Sequence, residues 1–218
     1  MKVIFGTTNE RKVHDLKNIV KQNNWDIEML SMADIGWDEG EIEENGSTIQ
    51  ENSLIKASAI FNFCSRKGIK HPIITDDSGL FIDAIGGLPG IYTARFADEE
   101  MELDPTLPKH ESANKILRLM QNKTDRSAKF HCCVTLMNPD GSYSQLIETT
   151  NGTILNDIRE PIKAPWTYCI FSVEDTGKTL HELSGKELTQ TYRHKALEKT
   201  LGSLGAPQKP AEQGQLGE

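Results

Sequence analysis

The run Thr75-Asp76-Asp77-Ser78-Gly79-Leu80 sets two adjacent carboxylates, a hydroxyl and a glycine directly after the apolar, β-branched pair Ile73-Ile74. The pattern predicts a short strand over 73–75, with the acids where the strand end opens into a loop. In an open α/β sheet that is where ligands bind. Neighbouring carboxylates repel, and water or a divalent cation relieves the repulsion. A second group of reactive types, Thr7-Thr8-Asn9 followed by Arg11 and Lys12, lies where a compact β run over 2–6 turns into a helix. Free N–H groups at the helix start, side-chain donors and two cations in the first turn make a phosphate-sized cradle. A capped helix with solvated basic residues satisfies the same pattern, because the glycine spacing of a P-loop is missing. Lys56 lies inside a later helix, where a lysine ordinarily snorkels into solvent.

The elements that must hold these residues alternate between strand and helix, which points to an α/β or α+β arrangement. Val13, Leu16, Ile19 and Val20 share one face of the first helix. A second strand is expected over 26–30, then a polar, acidic loop over 34–44. Ser47-Thr48-Ile49-Gln50 has the form of a capping box opening a helix through about Arg66, with Leu54, Ala57 and Phe61 as its apolar seam. Glu43 and Glu44 precede that cap, where they suit the positive helix end. A short strand over 81–84 leads into the bend Gly86-Gly87-Leu88-Pro89-Gly90, which an architectural turn explains. Further on we expect a helix over 114–120, a hairpin of 130–137 with 143–149, an apolar strand over 168–173 and a last helix over 186–204. The remainder to Glu218 is rich in Gly, Pro, Gln and Glu and cannot support a packed core. With no repeat and no linker, the expected organisation is one domain over 1–204 and a flexible tail over 205–218.

Composition narrows the partners. The 218 residues carry 32 acidic and 24 basic side chains, a formal charge of −8, so a long stretch of nucleic-acid phosphate is repelled on average. No run of about 18 apolar residues and no secretory leader stand in the sequence, so neither a membrane span nor export is expected. Cys64, Cys132, Cys133 and Cys169 form no C-x-x-C pair and read as reduced core thiols of a cytoplasmic protein. The six histidines lack H-E-x-x-H spacing, which disfavours zinc.

Taken in order, the segments resemble the inosine triphosphate pyrophosphatase family, which hydrolyses deaminated purine nucleoside triphosphates to monophosphate and pyrophosphate. The likeness runs through Val3-Ile4-Phe5-Gly6-Thr7-Thr8-Asn9-Glu10-Arg11-Lys12, then from Glu43 through Ala57. It is strongest from Asp76 through Leu80 and from Gly86 through Phe96, with Phe130-His131-Cys132 and Gly177-Lys178-Thr179 matching further on. It implies an α/β fold with a central twisted mixed β-sheet, flanking helices and two lobes around a nucleotide cleft, usually in a homodimer. By position it makes Asp77 the general base and, with Glu44, a ligand of Mg²⁺. Thr7, Thr8, Asn9, Glu10, Arg11 and Lys12 become the triphosphate loop, Lys56 a catalytic phosphate contact and Ser78 a substrate contact. The expected partner is a nucleoside triphosphate, with no stable nucleic-acid complex and no membrane.

The base-recognition end departs from the family pattern. Where Phe-Gly-Tyr/Trp-Asp-Pro is usual, this chain has Pro165-Trp166-Thr167-Tyr168-Cys169, and the usual Ser-His-Arg is Thr191-Tyr192-Arg193. Lys186 stands one position off an expected lysine. Trp166, Tyr168 and Tyr192 can stack on a base while Arg193 donates to a carbonyl oxygen, which predicts altered or relaxed substrate choice. The same aromatics also suit a plain core. Two functions remain open at this point: an active Mg²⁺-dependent pyrophosphohydrolase, and a nucleotide-binding or interaction module with little turnover.

Overall fold

The computed structural model describes residues 1–98, 100, 104, 106, 110–159 and 165–205, apart from the side chain of Glu10. The proposed tail beyond 205 lies outside the described residues. Strand β1 (Lys2–Phe5) leads into α1 (Glu10–Gln22), and β2 (Glu28–Leu30) leads through the acidic loop into α2 (Ile49–Lys67). Then come β3 (Ile73–Ile82), the two-residue β4 (Pro89–Gly90), α3 (Glu111–Leu119), the hairpin β5 (Ser127–Met137) and β6 (Tyr143–Ile154), β7 (Phe171–Val173), α4 (Lys186–Thr189) and α5 (Tyr192–Ser203). Among the described residues seven strands form one mixed sheet in the order β2-β1-β3-β5-β6-β7, with β4 on the free end of β3. Strand β1 runs parallel to both β2 and β3, whereas β3, β5, β6 and β7 pair antiparallel.

Strand alternation divides the side chains between two cores. Val3, Phe5, Ile74, Leu80 and Ile82 face α1, α3 and α5, where Leu16, Ile116 and Leu197 are buried. Ile4 and Ile73 face α2, against Ala57, Ile60, Phe63 and Cys64. All four cysteines are buried and unbridged, in keeping with their reading as core thiols.

Several sequence expectations shift, and each shift matters for the site. The Asp pair does not stand at a strand end: β3 continues from Ile73 to Ile82, because β5 pairs with it along its whole length, Asp76 opposite Val134 and Asp77 opposite Cys133. The separate strand expected over 81–84 is therefore the end of β3, followed by a 3-10 turn at Asp83–Ile85. The capping box sits one residue later than expected. Thr48 is the cap, its hydroxyl accepting from the Glu51 N–H at 3.1 Å, and the Glu51 carboxylate accepts from the Ser47 N–H at 2.6 Å. The seam of α2 is correspondingly Ser53, Ala57, Ile60 and Cys64, with Leu54 and Phe61 only half-buried.

Two later elements are shorter than periodicity suggests. Residues 166–169 form a 3-10 turn, the Tyr168 N–H donating to the Pro165 carbonyl at 3.0 Å, so the strand expected from Tyr168 begins only at Phe171. The helix expected over 186–204 breaks at Gln190-Thr191 into α4 and α5. Helical spacing continues across the break, so periodicity does not reveal it. The break leaves Tyr192 and Arg193 in the first turn of α5.

Candidate functional site

On its β1 side, β3 is only partly covered. Strand β1 reaches Ile74, and β4 begins again at Leu80, which leaves the edge of Asp76–Gly79 open between them. The approach of β4 depends on two glycines. A Cβ on Gly79 would stand 2.4 Å from the Gly90 carbonyl oxygen, and Gly90 itself has a positive φ of 58°. Below the open edge lies a cavity of about 630 Å³. It is the crevice that parallel β1 and β3 create with α1 on one side and α2 on the other.

Because β3 alternates, its two acids belong to different neighbourhoods. Asp77 faces α2. Its Oδ2 accepts from the Asn52 side-chain amide at 3.3 Å, and its Oδ1 accepts from the Ser78 N–H at 2.9 Å. One helical turn after Asn52, the Lys56 ammonium donates to Glu44 Oε2 at 2.8 Å and lies 3.9 Å from Asp77 Oδ1. Burial pushes the Asp77 carboxyl above its ordinary value; Lys56 opposes this and the negative charge of Glu44 adds to it. A raised aspartate is a stronger base than a free one.

Asp76 faces α1 and α5. Its Oδ2 lies 2.9 Å from the Lys12 ammonium and 3.3 Å from Arg193 Nε, with the side chain wholly buried. The Arg193 N–H is not aimed at that oxygen, so this contact is coulombic rather than a directed hydrogen bond. Burial disfavours the ionised acid, but Lys12, Arg193 and Lys56 outweigh it and hold Asp76 well below the usual carboxylate range. Arg193 Nη2 also donates to Ser78 Oγ at 2.8 Å. Ser78, two residues from Asp76, shares its face.

The remaining walls are aromatic. The Tyr192 ring stacks on Phe130 at 4.9 Å between centroids, and its hydroxyl lies 3.2 Å from that of Tyr168. The Arg11 guanidinium covers the Tyr168 ring at 4.4 Å, and Trp166 lines the cavity beside it. Asn9 caps α1, its side-chain oxygen accepting from the N–H groups of Arg11 and Lys12.

Of the residues singled out in the sequence, Asn9, Arg11, Lys12, Glu44, Lys56, Asp77, Ser78, Trp166, Tyr168 and Arg193 all line this cavity. Thr7 and Thr8 do not; they border a separate hollow with His14 and Lys17. Lys186 lies in α4 and is absent from the cavity wall. Glu10 opens α1, but its side chain is outside the described residues. Asn52 and the role of Asp76 were missed. The spacing of Asn52 four residues before Lys56 was the available signal for the first; nothing local separates Asp76 from Asp77 until strand alternation is known.

A mixed sheet with an acid-and-lysine cluster at one end of a cleft and aromatics at the other has the chemistry to hold a small anionic ligand with a flat apolar part. The profile of the Ham1 family matches residues 3–202, and the chain belongs to that family. It is 35% identical over 210 residues to the dITP/XTP pyrophosphatase of Bacillus licheniformis, covering 93% of this chain and 97% of that one. The Bacillus subtilis dITP/XTP pyrophosphatase is 34% identical over 207 residues, covering 93% and 96%. Among solved structures, the Staphylococcus aureus Ham1 protein superposes with a TM-score of 0.74 at 27% identity, over 94% of this chain and 97% of that one.

Proposed function

We propose that this chain is a nucleoside triphosphate pyrophosphohydrolase acting on dITP- and XTP-like nucleotides, releasing nucleoside monophosphate and pyrophosphate. The observation that carries the reading is the meeting of Glu44, Lys56 and Asp77 in one cavity, with Lys12 across the same open strand edge. Its Bacillus relatives, both dITP/XTP pyrophosphatases, point the same way.

The donor set suits a hard divalent cation. Two carboxylates already share one positive charge, the Lys56 ammonium. Among the described residues no three His, Cys, Asp or Glu side chains converge. A cation with few protein ligands that fills its shell with water and phosphate oxygens is the habit of Mg²⁺, and Glu44 and Asp77 are the residues that would hold it. When bound, it would supply charge neutralisation on the phosphates and make adjacent water more acidic.

The chain's own groups account for the rest. Lys12, Lys56 and the start of α1 bind the polyphosphate and stabilise charge that builds on its oxygens. Asn52 and the Ser78 N–H fix the Asp77 carboxylate, whose raised basicity fits it to take a proton from water. The new bond forms between the water oxygen and the α-phosphorus. The bond from that phosphorus to the α,β-bridging oxygen breaks, and its electrons leave with pyrophosphate. At the other end Trp166 and Tyr168 present flat surfaces to the base and Arg193 a donor. Stacking alone discriminates bases weakly, so we expect broader substrate choice than a strict dITP/XTP preference.

The deciding measurement is pyrophosphate release from dITP with Mg²⁺, comparing wild type and Asp77→Asn. Nucleotide binding by the wild type without turnover would sink the enzymatic reading in favour of a binding module. A panel of dITP, XTP, dUTP, GTP and ATP tests the breadth of substrate choice. On the family likeness, we extend the reading to a homodimer acting in the cytoplasm without a nucleic-acid partner. Among the described residues no helix is long and apolar enough to cross a membrane. Sedimentation analysis tests the dimer.

A further inference from the structure

We propose that Asp76 is a positioning residue that couples the two ends of the cleft, so that an occupant held by Lys12 alters how Arg193 is presented to the base. The proposal rests on reading the cavity as a nucleoside triphosphate site, and it concerns a residue to which that reading gives no role.

Lys12 Nζ and Arg193 Nε approach the same oxygen, Asp76 Oδ2, at 2.9 and 3.3 Å. They come from α1 and α5, and among the described ion pairs neither has another carboxylate. The Asp76 side chain is wholly buried, and those of Lys12 and Arg193 are only 17% and 12% exposed, so solvent screens the three charges from one another weakly. Drawing Lys12 away towards a phosphate leaves Asp76 more dependent on Arg193. The second carboxylate oxygen, Oδ1, is buried and has no hydrogen-bond partner among the described residues. An unused acceptor beside two cations is costly as it stands, and it gives either cation a second place to settle. Arg193 has a second anchor, its Nη2 donating to Ser78 Oγ at 2.8 Å, so a change in its pairing with Asp76 acts on a guanidinium tied to the cavity wall. A shared buried partner is the circumstance in which two sites cease to be independent.

Inorganic pyrophosphate, which has no base, separates coupling from direct contact. In protein labelled with ¹⁵N-arginine, the Arg193 Nε resonance, assigned by its loss in Arg193→Lys, is expected to shift on saturation with pyrophosphate. In Lys12→Met that shift is expected to vanish at saturation. A shift that persists there shows pyrophosphate touching Arg193 directly and overturns the proposal, as does the absence of any shift in the wild type. Kinetics give an independent readout that a merely structural Asp76 would not move. Lys12→Met should change the ratio of kcat/KM for dITP and dATP, which differ in the 6-carbonyl that Arg193 would address, by on the order of threefold or more, within the range for residues that share a partner. In an Asp76→Asn background the ratio should no longer depend on residue 12. If Asp76→Asn does not fold, the Lys12→Met ratio decides alone, and an unchanged ratio refutes the coupling. Absence of all turnover in the wild type would instead count against the enzymatic reading, while the resonance experiment still decides the coupling.

Discussion

Asp76 and Asp77 are neighbours in the chain, yet the two sides of β3 give them opposite characters. On the α1/α5 side, Asp76 is sealed from solvent between Lys12 and Arg193 and held firmly ionised. On the α2 side, burial and the charge of Glu44 push Asp77 towards the neutral acid, and Lys56, Lys12 and the Ser78 N–H offset this only in part. One carboxylate is paired with two cations and the other is held by neutral donors and left the stronger base. A strand can do this because successive side chains point to opposite faces, so two acids one residue apart need not share a partner. The repulsion expected of an Asp-Asp pair is avoided by geometry, and the destabilised member is the one we propose as proton acceptor.

The largest expected effect tests that division directly. Asp77→Asn keeps size and hydrogen-bonding shape but removes the base, and steady-state assays with dITP should show kcat falling by about 10²- to 10⁴-fold. Its fold should not suffer. Since the Asp77 carboxyl is raised in the folded chain, the folded state binds its proton more readily than the unfolded one, and at neutral pH this residue costs stability. A thermal melt at pH 7 is expected to show a Tm equal to or above wild type. Asp76→Asn should give the reverse emphasis. It leaves Lys12 and Arg193 buried without their counter-charge, and denaturant unfolding at pH 7 should report a loss of about 3–5 kcal/mol. The contribution of Asp76 is present above the ordinary carboxylate range and disappears as pH falls through its lowered folded value, so the two proteins should converge in stability only in strong acid. Equal effects of both substitutions on both observables would break the comparison.

A smaller effect concerns pH alone. In the metal-free protein, carboxyl ¹³C titration should place Asp77 above the ordinary value of 3.8 and Asp76 below it. A titration that puts Asp77 at or below that ordinary value would remove the basis for treating it as the stronger base. Bound Mg²⁺ would favour the ionised carboxylate, so adding it should move the Asp77 titration to lower pH.

Much of the phosphate side was readable from residue order, and the reasons are local. A cap after a compact strand places Asn9 and Lys12, and a second cap after an acidic loop places Glu44 and Lys56, so short motifs carry these positions. The division between Asp76 and Asp77 was not readable, because it depends on β3 running on unbroken, and β5, some fifty residues later, enforces that. The aromatic side was legible as composition but not as arrangement. Trp166 and Tyr168 lie in a 3-10 turn rather than a strand, and Tyr192 and Arg193 begin a helix rather than continue one. Both boundaries are set by turn hydrogen bonds that hydrophobic periodicity does not register. Thr7 and Thr8 show the converse: they belong to the cradle by sequence but line the neighbouring hollow.

The least expected change is also the one that distinguishes binding from chemistry. Tyr168→Phe deletes only the hydroxyl that meets Tyr192 at 3.2 Å and leaves the ring under Arg11. Stacking on the cation is kept, and so is the wall that a base would lie against. What disappears is one hydrogen bond between neutral groups, about 0.5–1.5 kcal/mol. Since the Tyr168 hydroxyl belongs to the aromatic end and Asp77 is the proposed base at the other, the loss should enter KM rather than kcat. A rise in KM of about two- to tenfold with kcat within error of wild type is the expected result of steady-state kinetics with dITP. A fall in kcat with KM unchanged would mean that the aromatic end takes part in the chemical step, and the separation between a binding face and a reacting face of β3 would no longer hold.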